Sequence, residues 1–184
     1  MRGRMPENRS LTLFLKTKIV YMSMIGNLLR VSNAELESYL ENSSLLEDRL
    51  YDNDAEDPNL TDIDKSWEGI LFLLTGQNIE TLDHPMGKVL FSGQLIDAEQ
   101  DLGYGPGNYL TPEQVKEVNS QLSQLSPEEL RKKFDAKRMM QLEVYPNIWE
   151  EEEVVDYLLG YYETIREVYA TATKNSQAVI TFLN

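Results

Sequence analysis

Cysteine is missing from the chain, and histidine occurs once, as His84. The first absence excludes disulfides, thiol nucleophiles and every zinc site built on thiolates. It also agrees with a reducing compartment. The single histidine excludes clusters of imidazole ligands. A metal site would have to be built from oxygen alone, and no EF-hand-like ladder of alternating acidic residues occurs. No metal and no cofactor is therefore expected. Long apolar runs are missing too: no stretch approaches the roughly 20 residues of a membrane-spanning helix. Basic residues are scarce. Seventeen Lys and Arg stand against 31 Asp and Glu, a formal net charge of −14.

What is present is the mix of an ordinary globular domain, 41% hydrophobic and 26% charged. The 184 residues fit one domain, given a prior of roughly 100–200 residues each. Charge is spread unevenly. Residues 1–21 hold Arg2, Arg4, Arg9, Lys16 and Lys18 against Glu7 alone. From Met22 onward the chain thus carries 12 basic and 30 acidic groups, or −18. Such a surface repels phosphate backbones, so nucleic acid is not an expected partner. It would attract a basic protein and speed the encounter, although solubility alone is the plainer role of acidity.

The opening segment turns briefly apolar at Leu11–Leu15, but a secretion signal needs a core of about 7–15 such residues. Lys16 and Lys18 interrupt the run, and no small-residue cleavage site follows. The expected setting is the cytoplasm, with residues 1–21 read as an extension and 22–184 as the domain.

Periodicity predicts a first strand at Ile25–Val31, then a helix capped by Ser32 with Glu35 three residues later. Leu45, Leu46 and Leu50 extend the helical region, and the acidic stretch 51–62 reads as a loop. Trp67, Ile70, Leu71 and Leu74 form one face of a helix that Gly76 ends. Val89–Ile96 reads as a strand. Thr111-Pro112-Glu113-Gln114 and Ser126-Pro127-Glu128-Glu129 each place a hydroxyl at the cap, proline in the first turn and Glu or Gln at the third position. Asp135 is placed to cap a further turn. A long helix is expected from about Glu150 to Thr173, and Gln177–Leu183 closes the chain as a strand.

Five stretches carry a family resemblance: MSMIGNLL, DIDKSWEGILFLLTG, DLGYGPGNYLTPEQV, ELRKKFDAKRM and VYPNIWEEEEVVDYLLGYYETI. In this order they resemble the YfbM-like family of bacterial proteins of unknown function, from Met22 to the C-terminus. Ser23 stands where the family has glycine, and residues 1–21 are foreign to the pattern. The resemblance implies a fold and no agreed activity, so it transfers no catalytic residue.

Candidate ligand-binding residues come from four places. Asp64, Lys65 and Trp67 surround a helix start, where a charged pair beside an aromatic suits a small zwitterion. The simpler reading makes Asp62 or Asp64 the cap and Trp67 core. The loop opened by Asp101 offers the N–H groups of Gly103, Gly105 and Gly107 as an anion nest. It lacks both the Gly-x-Gly-x-x-Gly spacing and a Walker lysine, and reads more simply as a rigid turn. His84, beside Asp83, is the sole candidate base near neutral pH, with a turn histidine as the default. Tyr104 and Tyr109 belong to a tyrosine-rich second half that suits either packing or a protein contact.

The sequence therefore predicts a single α+β domain, mostly helical, with a small sheet that includes the N-terminal and C-terminal strands. A non-enzymatic acidic protein that binds a basic macromolecule, such as a basic toxin domain, is the leading function. The alternative is a small-molecule site or enzyme formed by Asp64, His84 and the 101–109 loop.

Overall fold

The computed structural model describes residues 23–51, 56–150 and 153–184. The expected extension at 1–21 and part of the acidic loop lie outside these residues. Strand β1 (Gly26–Val31) opens the described chain, and α1 (Asn33–Glu41) and α2 (Ser44–Tyr51) follow. Strand β2 (Leu60–Asp62) and a 3₁₀ turn at Asp64–Ser66 lead into α3 (Trp67–Thr75). Two further 3₁₀ turns, at Ile79–Thr81 and Pro85–Val89, precede β3 (Asn108–Leu110). Helices α4 (Pro112–Leu122), α5 (Pro127–Arg131), α6 (Ala136–Gln141) and α7 (Val154–Lys174) then run to the closing strand β4 (Ala178–Leu183).

The four strands form one antiparallel sheet in the order β2-β1-β4-β3. Its centre is the pairing of the two terminal strands, with Leu29 opposite Ile180 and Val31 opposite Ala178. Both faces are covered. Leu28, Leu110 and Val179 join a core with residues of α3 to α7. Leu29, Val31, Ala178, Ile180 and Phe182 join a second core with Leu36, Tyr39 and Leu46 of α1 and α2. A strand buried on both sides needs apolar residues at successive positions. Leu28-Leu29 and Val179-Ile180 therefore read as continuous runs rather than as an alternation. This is the expected α+β architecture.

The helix starts follow their signals. Ser32, Thr111 and Ser126 each accept the N–H of the third helical residue, and Glu35, Gln114 and Glu129 bond back to the cap. Asp135 accepts from the Arg138 N–H at 2.9 Å. Gly76 ends α3 with φ 75°.

Four expectations are corrected. Val89–Ile96 is not a strand: Pro85 starts a 3₁₀ turn that carries through Val89, Gly93 has φ 76°, and Leu95 makes only an isolated bridge to Asn108. The short segment Asn108–Leu110 takes the edge of the sheet instead. The 51–62 stretch is not all loop, because Tyr51 ends α2 and Leu60–Asp62 pairs with β1. Helix α7 begins at Val154, with Glu153 at its cap position, so Glu150 precedes it. Helix α3 buries every residue from Trp67 to Leu74 and not one stripe, since α5, α7 and the Pro85–Val89 turn all pack against it.

Candidate functional site

One concave feature gathers side chains from six segments. It is a cleft of about 580 Å³ at the N-terminal end of α3. Trp67 and Glu68 of α3 line it, with Asn78, Ile79 and Glu80 from the following turn. Leu142, Glu143 and Tyr145 from the turn after α6 stand beside them. Met24, Tyr104 and Leu183 complete the walls.

The aromatic pair at its back is tightly organised. Tyr145 stacks on Trp67 with ring centroids 5.6 Å apart and 21° between planes, and Phe91 meets Trp67 edge-on at 5.7 Å. The Trp67 indole N–H donates to the Met24 carbonyl at 3.1 Å, and the Met24 N–H donates to the Tyr145 hydroxyl at 3.0 Å. Both polar groups of that backbone residue are thus held by the pair, which fixes the entry into β1.

Glu68 is the unusual member. It is 4% exposed, on a helix whose other residues are nearly all apolar. One carboxylate oxygen accepts the Ile79 N–H at 2.8 Å and the other the Tyr145 N–H at 2.7 Å. The acid therefore ties the turn after α3 to the turn after α6. Burial pushes its pKa up, and the Glu80 charge adds to that, while the two backbone donors oppose it. Among the described residues no Lys, Arg or His lines the cleft.

The residues singled out from sequence are divided among several places. Trp67, 3% exposed, and Tyr104, 38% exposed, share this cleft. Asp64 and Lys65 line a neighbouring groove of about 350 Å³ with Pro146, Ile148, Glu153, Val154 and Tyr157. There the Tyr157 hydroxyl donates to Asp64 at 3.0 Å. Asp62 accepts the Asp64 N–H, so it closes the turn ahead of α3 rather than capping the helix itself. Burial, and next to it the hydrogen bond to Asp64, drives the Tyr157 pKa upward.

His84 lines neither feature. Its Nδ1 accepts the Met86 N–H at 3.1 Å, which makes it the cap of a 3₁₀ turn. Asp83 accepts from Gln77 and does not orient the imidazole. Asp101 fills its own nest: one carboxylate oxygen accepts the Gly103 and Gly105 N–H groups at 2.9 and 3.0 Å. Those donors, first Gly105 and then Gly103, hold its pKa below the usual carboxylate range. Tyr109 serves the sheet, opposite Ile180 in β3, with its carbonyl accepting from Ser92 at 2.7 Å. Tyr161 is half-buried and packs edge-on against Tyr157 at 5.1 Å.

Sequence reasoning missed Glu68, Asn78, Glu80 and Glu143. For Glu68 a signal existed: a lone carboxylate in the apolar helix WEGILFLLT has to find buried donors. For the other three, no local pattern distinguishes them from surface residues. Among the described residues no group of His, Asp and Glu is placed to hold a metal ion. No helix there is long and apolar enough to cross a membrane.

The architecture defines an α+β class, one small antiparallel sheet enclosed between two helical layers. The model of a family described as "Domain of unknown function (DUF1877)" matches residues 22–182, and the chain belongs to that family. It is similar to protein YfbM of Escherichia coli K12, with 27% identity over 143 residues, which is 76% of this chain and 83% of YfbM. The crystal structure of YfbM from Escherichia coli, described as a protein of unknown function, superposes with a TM-score of 0.68 at 22% identity. That match covers 88% of this chain and all of the other, and it bears on the fold. The resemblance read from the five sequence stretches is thus established.

Proposed function

We propose that the protein is a non-enzymatic binding protein of the cytoplasm whose acidic surface receives a basic macromolecular partner, such as a basic toxin domain. Unbalanced charge carries this reading. Among the described residues, Arg49, Lys88 and Arg131 form ion pairs with five carboxylates: Glu35, Asp57, Glu117, Glu128 and Asp156. Most of the other described carboxylates have no described cation within ion-pairing distance. Exposed carboxylates of this density accelerate encounter with a positively charged protein. The exposed aromatic and aliphatic side chains of Tyr104 and Ile79 beside Glu80 and Glu143 supply the apolar component that a stable contact needs.

The test is affinity purification of the full chain from its native cells at low salt, beside a charge-reversed variant. A stoichiometric basic protein, lost at high salt and absent with the variant, supports the reading. A partnerless protein under several growth conditions overturns it. A small-molecule site is the second reading, favoured by a cleft volume within the usual range of about 300–1,000 Å³ for such sites. A thermal-shift screen of metabolites separates the two: a saturable stabilisation by a small compound, with no protein partner, selects the second.

A further inference from the structure

We propose that the cleft beside Glu68 is the subsite that receives an arginine side chain of the partner. This rests on the basic-partner reading above and names the contact at its centre.

Three carboxylates, Glu68, Glu80 and Glu143, come from separate segments and face one concavity, and no basic side chain among the described residues lines it. Glu80 and Glu143 are exposed at the rim, and Glu68 is 4% exposed at depth. A buried carboxylate without a counter-ion is costly. Two backbone N–H groups reduce that cost, but they leave the net charge in place. A cation entering the cleft relieves it. A neutral ligand leaves the buried charge uncompensated, and an anionic one is repelled by it.

The aromatic lining decides between cations. Tyr104 is exposed at the mouth, and Tyr145 is half-buried on top of Trp67. A planar guanidinium stacks on such rings and presents a fork of donors to carboxylates on different sides. An ammonium is a compact, strongly hydrated point charge that can do neither as well. Ile79, Leu142 and Met24 provide apolar surface for the aliphatic stem. The source is a partner protein rather than free arginine, because exposed Ile79 and Tyr104 at the mouth offer contact area beyond one side chain.

The probe is N-acetyl-arginine methylamide, titrated into the ¹⁵N-labelled full chain and followed by NMR. The lysine and citrulline analogues serve as comparators. The expected result is a saturable shift of the Trp67 indole N–H and of the Ile79 and Tyr145 amides with the arginine probe. The indole of Trp149, which is 1% exposed and donates to Val144, stays still. Replacing both rim acids (Glu80→Gln with Glu143→Gln), which leaves the two Glu68 hydrogen bonds intact, is expected to weaken binding roughly tenfold.

An equal response to citrulline, or unchanged affinity in the double variant, overturns the subsite. An equal response to lysine overturns the choice of arginine. Binding that emerges only after Arg2, Arg4 and Arg9 are replaced by glutamine assigns the cleft to the chain's own basic segment and overturns the partner as its occupant. A basic partner captured equally well by the double variant overturns this assignment and leaves the acidic-surface reading standing. Absence of any partner overturns that reading, whatever the titration shows.

Discussion

Glu68 joins two turns that the sequence keeps far apart, and its removal tests that role. Glu68→Ala leaves the Ile79 and Tyr145 N–H groups without their acceptor. We expect a loss of about 2 kcal/mol in denaturant unfolding, given roughly 1–3 kcal/mol for a buried donor left unpaired. Its pKa is raised in the folded state, so its favourable contribution is full below the unfolded glutamate value and is lost as pH rises through the native value. Wild-type stability, measured relative to Glu68→Gln, should therefore decline as pH climbs from about 4.3 and then level off. Asp101 has the opposite sign. Its native pKa is lowered, so its contribution is present above the ordinary aspartate value, about 3.9, and lost as pH falls through the native one. Asp101→Asn should lower the thermal midpoint at neutral pH, with the difference from wild type vanishing in acid. A flat difference would contradict the burial described for Glu68, or the hydrogen bonds described for Asp101.

At the scale of elements, α3 and α7 approach so closely that a glycine stands between them. A Cβ on Gly69 would sit 2.6 Å from Trp149 Cη2 and 2.7 Å from Leu158 Cδ2. Gly69→Ala should cost about 1–3 kcal/mol by overpacking, despite the better helix propensity of alanine. Gly160 lies on the exposed side of α7 with nothing near its missing Cβ. There the same substitution should stabilise by about 0.5–1 kcal/mol. Chemical denaturation of the two variants gives opposite signs if the interface is as described. Ends of elements were legible where side chains bond to adjacent backbone. The boxes at Ser32, Thr111 and Ser126 are local chemistry that needs no tertiary partner. Strands β2 and β3 were not legible, because three residues at a sheet edge carry no period and are strands only through their neighbours. Val89–Ile96 misled for the converse reason: Val89, Leu90 and Ile96 are buried by packing on turns, so they are apolar without being a strand.

Across the whole molecule the acidic excess repels itself, and salt screens that repulsion over about 10 Å at 0.1 M. Without a partner, the thermal midpoint should rise between about 10 and 150 mM salt, and a scan series at constant pH measures it. A midpoint that falls instead would mean that attractive pairs such as Arg49 with Glu35 and Asp57 outweigh the repulsion. The sequence by itself determined the family, the α+β class, the strand character of both ends of the domain and most helix starts, together with the charge that motivates a basic partner. These depend on composition, on apolar runs or on hydrogen bonds spanning a few residues. Only the tertiary structure decided the site. It dispersed Asp64, His84, Asp101 and Tyr109 to turns, a groove and the sheet, and it drew Glu68, Glu80, Glu143, Tyr104 and Tyr145 to one cleft. The reason is separation along the chain: the Glu68 bond to Tyr145 spans 77 residues, and no local periodicity encodes a contact at that range.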